Sequence, residues 1–474
     1  MVDDHPVRER RSASGATAPT QLTSHRAAAL VAFLCWSVML LEGYDVISLG
    51  TVIPVLLHDS AMGFTAANTG WVAAAVFVGA LIGALSSGVL SDRYGRRPVV
   101  IASVAIFSLF MALCGLATGP ASLGILRFLA GLGLGALIPT TSALTLEYAP
   151  ARRRTLIYTL MLSGVPFGGV LSALVALPVL PNLGWHWMFF LGAIPGFLIL
   201  PVLAKSLPES VTFLRAVGRR EQADRVAARF GVQDTGARES HAGESHAGEP
   251  GGSASAAPVS ADTTGGGIFG RGYAVASVLF AITTFCGLFA WYGLATWLPG
   301  IMSEAGYSLS SSLVFLLVLS LGAVAGSLFT ATATDRWGHK PVVVVTYGVM
   351  AVALLLLAIK LPQAPLLALI AIAGVGGHGG QILINAYVSN SYPTRQRARA
   401  LGWSLGAGRS GTIVGPIIIG WVVAVTSPLT GFVVFASMAV LAALLLAFVP
   451  RTPACAPSRS LNATPSAEPL RQGV

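Results

Sequence analysis

Hydrophobic residues are gathered into twelve long runs, separated by short polar connections. Each run holds roughly 20 residues or more, which is enough to cross about 30 Å of hydrocarbon as an α-helix. Because a backbone in lipid must satisfy its own hydrogen bonds, such runs form helices. The runs lie at residues 27–57, 67–90, 98–117, 120–148, 154–178, 184–206, 272–301, 311–334, 340–359, 363–390, 398–425 and 429–449. The pattern therefore predicts an all-α membrane protein with twelve transmembrane helices.

Charged side chains are scarce and unevenly placed. Of the 474 residues, 54% are hydrophobic and only 10% are charged, too few charges for the surface of a soluble protein of this length. Nearly all of the 29 Lys and Arg fall before the first run, after the last, or in every second connection. This asymmetry predicts that both termini are cytoplasmic and that the chain lies in a bacterial cytoplasmic membrane. Membrane lipids with anionic headgroups account for the net charge of +10, so nucleic acid is not an expected partner.

The two halves of the chain repeat. Asp92–Pro98 (DRYGRRP) matches Asp335–Pro341 (DRWGHKP), and Pro150–Arg154 lines up with Pro393–Arg397. Both pairs are offset by 243 residues, which indicates two equivalent six-helix bundles. The predicted organisation is a cytoplasmic tail at 1–26, a bundle at 27–206, a cytoplasmic linker at 207–270, a second bundle at 271–449 and a cytoplasmic tail at 450–474.

The linker is predicted to be partly disordered. Its second part is dominated by Gly, Ser, Ala and Thr, which cannot bury a core. A short arginine-rich helix is expected before that part, at residues 215–230.

Four charged residues lie deep inside the apolar runs, away from their ends. Glu42 and Asp45 are three residues apart, so they share a face of the first helix. A charge at the helix centre costs about 2.5–3.5 kcal/mol to insert, and such charges usually mark an ion or substrate path. At about 1.5 Å of rise per residue, Arg127 lies at a depth similar to the acids. Arg409 lies near the midplane, with no acid evident at its depth in its own half. We therefore expect Arg127 to pair with the acids, either within a transport site or as a permanent structural pair.

The segment Gly88–Arg97 resembles the loop signature of the major facilitator superfamily, and residues 335–340 are a degenerate copy. Within that superfamily the chain is similar to the aromatic acid:proton symporters. The matching pieces are Glu42–Asp45 (EGYD), Arg127–Gly135 (RFLAGLGLG), Glu147–Pro150 (EYAP), Leu207–Ser210 (LPES), Tyr392–Thr394 (YPT) and Gly408–Gly411 (GRSG). The resemblance implies two six-helix bundles that rock around a central cavity. The first piece departs from the usual Asp-Gly-x-Asp, because Glu42 replaces the first Asp.

Candidate roles follow from position and resemblance together. Arginine presents a planar fork that binds a carboxylate through two hydrogen bonds, so we assign Arg409, and secondarily Arg127, to the substrate carboxylate. Asp45, and then Glu42, is assigned to the coupling proton. Further substrate contacts are predicted at Tyr44, His378 and Gln381.

Aromatic side chains could sandwich a substrate ring, although each one alone is also a candidate for packing or lipid contact. The set is Tyr44, Trp71, Phe77, Phe167, Trp291, Tyr292 and Trp403. Trp297 lies near the outer end of its run and is predicted to belong to an interfacial aromatic belt. His378 could carry a proton, bond a ring hydroxyl or pack as a neutral histidine.

Motif residues at the cytoplasmic ends of the helices are assigned to gating. They are Gly88, Asp92, Arg93, Gly95, Arg96, Arg97, Glu147, Asp335, Arg336, Gly338, His339 and Arg397. In the family that the chain resembles, equivalent residues matter for transport; the alternative is that these charges only set topology. His339 and Lys340 replace the arginine pair of the first copy, so a weaker latch is expected in the second half.

The energetics favour symport. An aromatic carboxylate is ionised at neutral pH, and its entry into an inside-negative cell costs about 2.3 kcal/mol per 100 mV. One accompanying proton removes that cost. We therefore predict proton-coupled uptake of an aromatic carboxylate, such as benzoate or a hydroxybenzoate, by a monomer with no cofactor or metal besides the coupling proton.

The nearest alternative is a proton-driven exporter of drugs or organic acids, because Gly164–Gly169 (GVPFGG) partly resembles an antiporter motif. A sugar porter is less favoured, since the motif expected after the last run is absent. A sensor is disfavoured by the short tails, and an enzyme by the absence of a phosphate loop, nucleophile motif or metal cluster.

Overall fold

The computed structural model describes residues 21–150, 153–230, 267–270, 272–359 and 361–450. Nearly all of these residues are helical, and twelve helical spans are long and apolar enough to cross a membrane. Their limits, from Ala28–His58 to Thr430–Phe448, agree with the predicted runs to within a few residues at most ends. The prediction of an all-α membrane protein is confirmed.

The first six spans contain seven helices. They are α1 (Gln21–His58), α2 (Ala66–Tyr94), α3 (Arg96–Cys114), α4 (Pro120–Tyr148), α5 (Arg154–Leu162), α6 (Gly164–Leu183) and α7 (His186–Ser206). The fifth span is divided between α5 and α6 at Ser163. Pro166 explains the division, because its ring lacks a donor and crowds the carbonyl of Leu162 four residues earlier.

Two short helices follow the sixth span, where a single helix at 215–230 was predicted. They are α8 (Val211–Ala216) and α9 (Arg220–Phe230). That prediction was wrong in extent, because Gly218 between them adopts a left-handed conformation with φ +79°.

The linker helices pack against the first bundle. The ring of Phe230 meets Tyr148 edge-on at 5.4 Å between centroids, and the side chains of Leu214 and Ala223 are buried. The start of the linker is therefore a folded part of the first bundle. Residues 1–20, 231–266 and 451–474 lie outside the described residues, so the disorder expected in the second part of the linker stays a prediction.

The second bundle contains seven further helices. They are α10 (Ala274–Glu304), α11 (Leu309–Trp337), α12 (His339–Leu357), α13 (Gln363–Gly374), α14 (Gly380–Ser391), α15 (Thr394–Val425) and α16 (Thr430–Phe448). A π-helical turn, Val375–Gly379, joins α13 and α14 into one span and carries His378. Turns of this kind are frequent at functional sites.

Glycines let two pairs of helices touch backbone to backbone within the first bundle. A Cβ at Gly131 or Gly135 of α4 would clash with a carbonyl oxygen of α2. A Cβ at Gly43 of α1 would likewise clash with the Val165 carbonyl of α6. Close approach through small residues is a common basis of helix association in membranes. The contact between Gly43 and Val165 therefore fixes the positions of the residues on either side of Gly43.

The two bundles meet over one half of their length. We call the face where α1 begins and α16 ends the terminal face, and the other the far face. In the far half, a Cβ at Gly50 would stand 2.7 Å from the Ala295 carbonyl oxygen, and one at Gly70 would stand 2.8 Å from that of Pro416. In the terminal half, no atom lies within 4 Å of an added Cβ at Gly402 or Gly406. The structure is therefore closed at the far face and open at the terminal face.

Trp297 differs from its prediction as a belt residue. Its side chain is fully buried, and its indole N–H donates to the Pro416 carbonyl oxygen at 3.0 Å. It therefore ties α10 to α15 beneath the far-face closure instead of contacting lipid.

Candidate functional site

A buried ion pair joins α1 to α4. Nη1 of Arg127 donates to Oδ1 of Asp45 at 3.0 Å and to the Asp45 carbonyl oxygen at 3.1 Å. Both side chains are fully buried. The predicted pairing of Arg127 with an acid is confirmed for Asp45.

The pair leaves part of its bonding capacity unused. Among the described residues, Oδ2 of Asp45 and both Nε and Nη2 of Arg127 have no hydrogen-bond partner. A single hydrogen bond between the side chains is less than the two that a guanidinium and a carboxylate can form. The remaining N–H donors of Arg127 can therefore bind a second group only if that group enters the same buried site.

Glu42 interacts with a charge from the other bundle. Its side chain is 8% exposed, and its Oε2 lacks a partner among the described residues. Arg409 of α15, which is half-buried, lies within electrostatic range of the Glu42 carboxylate, although the two side chains form no ion pair in this structure. The acid that sequence reasoning did not find near Arg409 is therefore supplied by the first half of the chain.

Aromatic rings stand beside these charges. The Tyr292 hydroxyl lies within electrostatic range of both Glu42 and Arg409. Its ring meets Phe77 of α2 edge-on at 5.0 Å, so the two rings bridge the bundles. Trp291, the preceding residue, lies 5.5 Å from the imidazole of His378. Of the seven aromatic candidates, these three line the boundary between the charges and the π turn.

The other aromatic candidates lie elsewhere. Trp71 is 65% exposed on the outer surface of α2, and Phe167 meets Trp36 of α1 edge-on. Trp403 donates its indole N–H to the Ser277 carbonyl oxygen at 3.1 Å. None of these three rings contacts Arg409 in the part of the chain that is described.

Tyr44 packs within the first bundle, against α7. Its hydroxyl donates to the Met188 carbonyl oxygen at 3.1 Å, and its ring fills the space above Gly192. Its prediction as a substrate contact is therefore corrected: its ring packs against α7, and its hydroxyl is already bonded.

Gln381 and His378 lie on one wall of the second bundle. Nε2 of Gln381 donates to Oδ1 of Asn385 at 3.1 Å, while its Oε1 has no partner among the described residues. Gly377, beside His378, leaves room for the Trp291 ring, because a Cβ there would stand 2.5 Å from it. Asn385 was not predicted, although its spacing of four residues from Gln381 places both on one helix face.

At the terminal face, Glu147 collects donors from two sources. Its carboxylate accepts from Nη1 of Arg96 at 2.7 Å, from Oγ of Ser210 at 2.7 Å and from the backbone N–H of Thr212 at 2.9 Å. Glu147 therefore links the start of α3 to the start of the linker.

Glu209 is a functional candidate that sequence reasoning missed. Its Oε1 accepts the backbone N–H groups of Arg96 at 2.8 Å and Arg97 at 3.1 Å, the free donors at the start of α3. Gly95, at φ +96°, leaves no room for a Cβ beside this carboxylate. The Arg97 guanidinium also bonds the Ala204 carbonyl oxygen. The signal was present in Leu207–Ser210, which had been matched as a motif without a role.

Three residues of the first motif face open space instead. Gly88 has no atom within 4 Å of an added Cβ, and Asp92 is exposed. The Arg93 guanidinium lies over the ring of its neighbour Tyr94 at 5.3 Å. No ion pair within the described part of the chain engages Asp92 or Arg93. These two predicted gating residues therefore make no closing contact in this structure.

The second copy of the motif makes mostly neutral contacts. Gly338, at φ +79°, opens α12 as Gly95 opens α3. His339 and Asn390 share a hydrogen bond of 3.0 Å, and Lys340 donates to the Val449 carbonyl oxygen at 2.8 Å. Arg397 donates to the Tyr392 carbonyl oxygen at 3.1 Å. Arg336 is exposed, and the side chain of Asp335 lies outside the described residues.

Two six-helix bundles with buried charges at their boundary define a membrane transporter of the major facilitator fold. The chain belongs to the sugar (and other) transporter family, whose model matches residues 29–456. That family is one of transporters, so the prediction that the protein is not an enzyme is confirmed.

Curated relatives cover most of the chain. A gentisate transporter of Corynebacterium glutamicum is 38% identical over 423 residues, covering 88% of this chain and 86% of that protein. A benzoate transport protein of Acinetobacter baylyi is 32% identical over 84% of each chain. A 4-hydroxybenzoate transporter of Pseudomonas aeruginosa is 33% identical over 88% of this chain and 92% of its own length. The predicted resemblance to aromatic acid transporters is confirmed.

Solved structures agree on the fold. The xylose transporter of E. coli in a partially occluded inward open conformation aligns with a TM-score of 0.70 at 18% identity, covering 90% of this chain and 99% of that one. Its inward open conformation also gives a TM-score of 0.70.

Proposed function

We propose that this protein imports an aromatic carboxylate together with a proton across a bacterial cytoplasmic membrane, with the terminal face in the cytoplasm. The observation that carries the proposal is the placement of Glu42 and Arg409 on different bundles, within electrostatic range of each other and of the Tyr292 hydroxyl, whose ring contacts Phe77 across the bundles. The named substrates of the relatives, gentisate, benzoate and 4-hydroxybenzoate, share one carboxylate and one aromatic ring. The open terminal face then corresponds to the state that releases substrate into the cell.

The substrate carboxylate binds Arg409. A half-buried guanidinium can turn its fork to a new carboxylate, whereas Arg127 is already engaged and fully buried. The substrate ring then lies near Tyr292, Phe77 and Trp291, whose faces and edges offer stacking partners. Bound this way, the substrate touches both bundles.

Proton coupling follows from competition for Arg409. In the empty carrier, the Glu42 carboxylate and the Arg409 guanidinium compensate each other. When the substrate carboxylate takes the guanidinium, Glu42 loses its counter-charge and binds a proton at its carboxylate oxygen. The site then holds one cation, one anion and one neutral acid, so its net charge is unchanged. Transfer across the membrane carries one anion and one proton and is electroneutral.

Asp45 is the second candidate proton site. Its protonation would remove the charge that holds Arg127, and the freed donors of Arg127 would then be available to another anion. The two acids lie on one helix face, so a proton can pass between them over a short path.

The test is uptake into proteoliposomes. Labelled benzoate and gentisate are offered with an inward proton gradient, without one, and with a protonophore. We expect accumulation only with the gradient and its collapse with the protonophore. Gradient-driven extrusion of either acid, or uptake that ignores the gradient, would overturn the proposal. Arg409→Gln serves as the matched negative control, and Arg399→Gln, an exposed arginine of the same helix, as the positive one.

A further inference from the structure

Two buried polar atoms in the second bundle have no partner. They are Oε1 of Gln381 and the hydroxyl of Tyr347, whose side chains are 8% and 0% exposed. Buried polar groups nearly always have a hydrogen-bond partner, so two unpartnered atoms in one buried region are unusual. Neither atom takes part in the ion pairs described above.

Both atoms lie against the same glycine. A Cβ at Gly287 of α10 would stand 3.2 Å from Oε1 of Gln381 and would clash with the Tyr347 hydroxyl. A Cβ at Gly380 would stand 3.3 Å from the same hydroxyl. Two glycines from different helices therefore let an amide oxygen and a phenol hydroxyl converge, and we call this cluster of polar atoms the alcove.

The amide is oriented for accepting a hydrogen bond. The NH₂ group of Gln381 is held by Oδ1 of Asn385 at 3.1 Å, which leaves Oε1 as the free end. An amide oxygen accepts but does not donate, and a phenol hydroxyl does both. The alcove is thus complementary to a ligand O–H group.

The alcove adjoins the proposed ring site. Gly287 and Trp291 are four residues apart on one face of α10, and Gln381 is three residues from His378, which Trp291 contacts. A ring that stacks beside Trp291 would bring a substituent toward Oε1 of Gln381 and the Tyr347 hydroxyl.

We propose that Gln381, positioned by Asn385 and supported by Tyr347, binds a ring hydroxyl of a hydroxylated aromatic acid. The inference rests on the proposed function and specifies its substrate class, because an unsubstituted benzoate would leave Oε1 of Gln381 unsatisfied. Sites built to bond a substrate hydroxyl discriminate strongly against analogues that lack it.

The experiment compares transport constants across a series of acids. KM and kcat are measured for benzoate, 3-hydroxybenzoate, 4-hydroxybenzoate and gentisate with the wild type and with Gln381→Leu, Asn385→Leu and Tyr347→Phe. For Gln381→Leu we expect KM to rise about 10-fold or more for at least one hydroxylated acid, while KM for benzoate stays the same or falls. Asn385→Leu and Tyr347→Phe should show the same selectivity to a smaller extent.

The control is Thr346→Val, beside Tyr347, whose hydroxyl bonds Val342 within its own helix. It should leave the whole series unchanged. An equal loss for benzoate and the hydroxylated acids in Gln381→Leu would overturn the inference and indicate a buried water or a packing role. If the wild type transports none of the acids, the proposed function itself fails, and that result is seen before any variant is compared.

Discussion

Asp45 and Arg127 are joined by a single side-chain bond of 3.0 Å in a site with no exposed surface. Removing one partner of a buried pair typically costs about 3–5 kcal/mol, because the other charge remains buried. We expect Asp45→Asn to lower thermal stability in detergent, and the double variant Asp45→Asn/Arg127→Gln to recover most of it. Uptake driven by a proton gradient should stay low in both variants. Full stability and full uptake in Asp45→Asn would contradict both roles of the pair.

Glu42→Gln should separate binding from coupling. The amide cannot take up a proton reversibly, so accumulation against a gradient should be lost. Exchange of labelled for unlabelled substrate at equal pH should remain, because Arg409 is still present. Glu221→Gln, which removes an exposed acid of α9, is the matched control and should change neither measurement. Gradient-driven accumulation at the wild-type level in Glu42→Gln would exclude Glu42 as the exchanging acid.

Arg409→Lys should weaken substrate binding without removing the charge. Lysine lacks the planar fork, so one of two hydrogen bonds to the substrate carboxylate is lost. A hydrogen bond to a charged group contributes about 1.5–3 kcal/mol, so KM should rise roughly 10- to 100-fold. The measurement is uptake against substrate concentration. An unchanged KM would indicate that the carboxylate binds elsewhere.

Replacing a glycine by leucine should have opposite effects on the conformation of the carrier at the two faces. Leucine at Gly402 finds open space in this state and should fold normally, yet it would obstruct closure of the terminal face. Leucine at Gly70 would collide with α15 and hold the far face open. Spin labels at Ala121 and Gln363, on the far-face ends of the two bundles, report the difference. We expect a longer separation for Gly70→Leu than for Gly402→Leu, and equal separations would refute this picture of the gate.

Glu209 should matter for the terminal face although it lies outside the membrane spans. Its carboxylate caps the start of α3, and loss of such a cap costs about 0.5–2 kcal/mol. Glu209→Gln keeps the shape but loses the charge that complements the helix dipole. We expect a lower unfolding temperature and slower substrate exchange, measured beside Glu304→Gln at the far end of α10. Identical behaviour of the two variants would assign Glu209 no gating role.

The transmembrane spans and the buried Asp45–Arg127 pair could be predicted because each depends only on position along the helix axis. Length and apolarity fix a transmembrane helix, and rise per residue fixes depth, which was enough to pair Arg127 with an acid. The rotation of the first helix about its own axis could not be predicted in this way. The first span is apolar on nearly every side, so the sequence carried no periodic signal that Tyr44 faces α7 while Glu42 faces Arg409.

The contacts that sequence reasoning missed join distant segments. Glu42 lies within electrostatic range of Arg409 from the other bundle, and Glu209 bonds the start of α3 from beyond the sixth span. Trp297 has the spacing of a belt residue, but its neighbour is Pro416 and not lipid. Such pairings depend on how the bundles dock, which hydropathy does not encode.

The close contact at Gly43 fixes where the acids can stand. Glu42 and Asp45 flank the residue whose backbone lies against Val165, so inserting or deleting one residue in this span would turn the acids by about 100° and force a side chain into that contact. The first span should therefore not tolerate the insertion or deletion of a residue. It should tolerate the exchange of one carboxylate for another at the same position. Glutamate at position 42, in place of the first aspartate of the motif that this segment resembles, is an exchange of that kind.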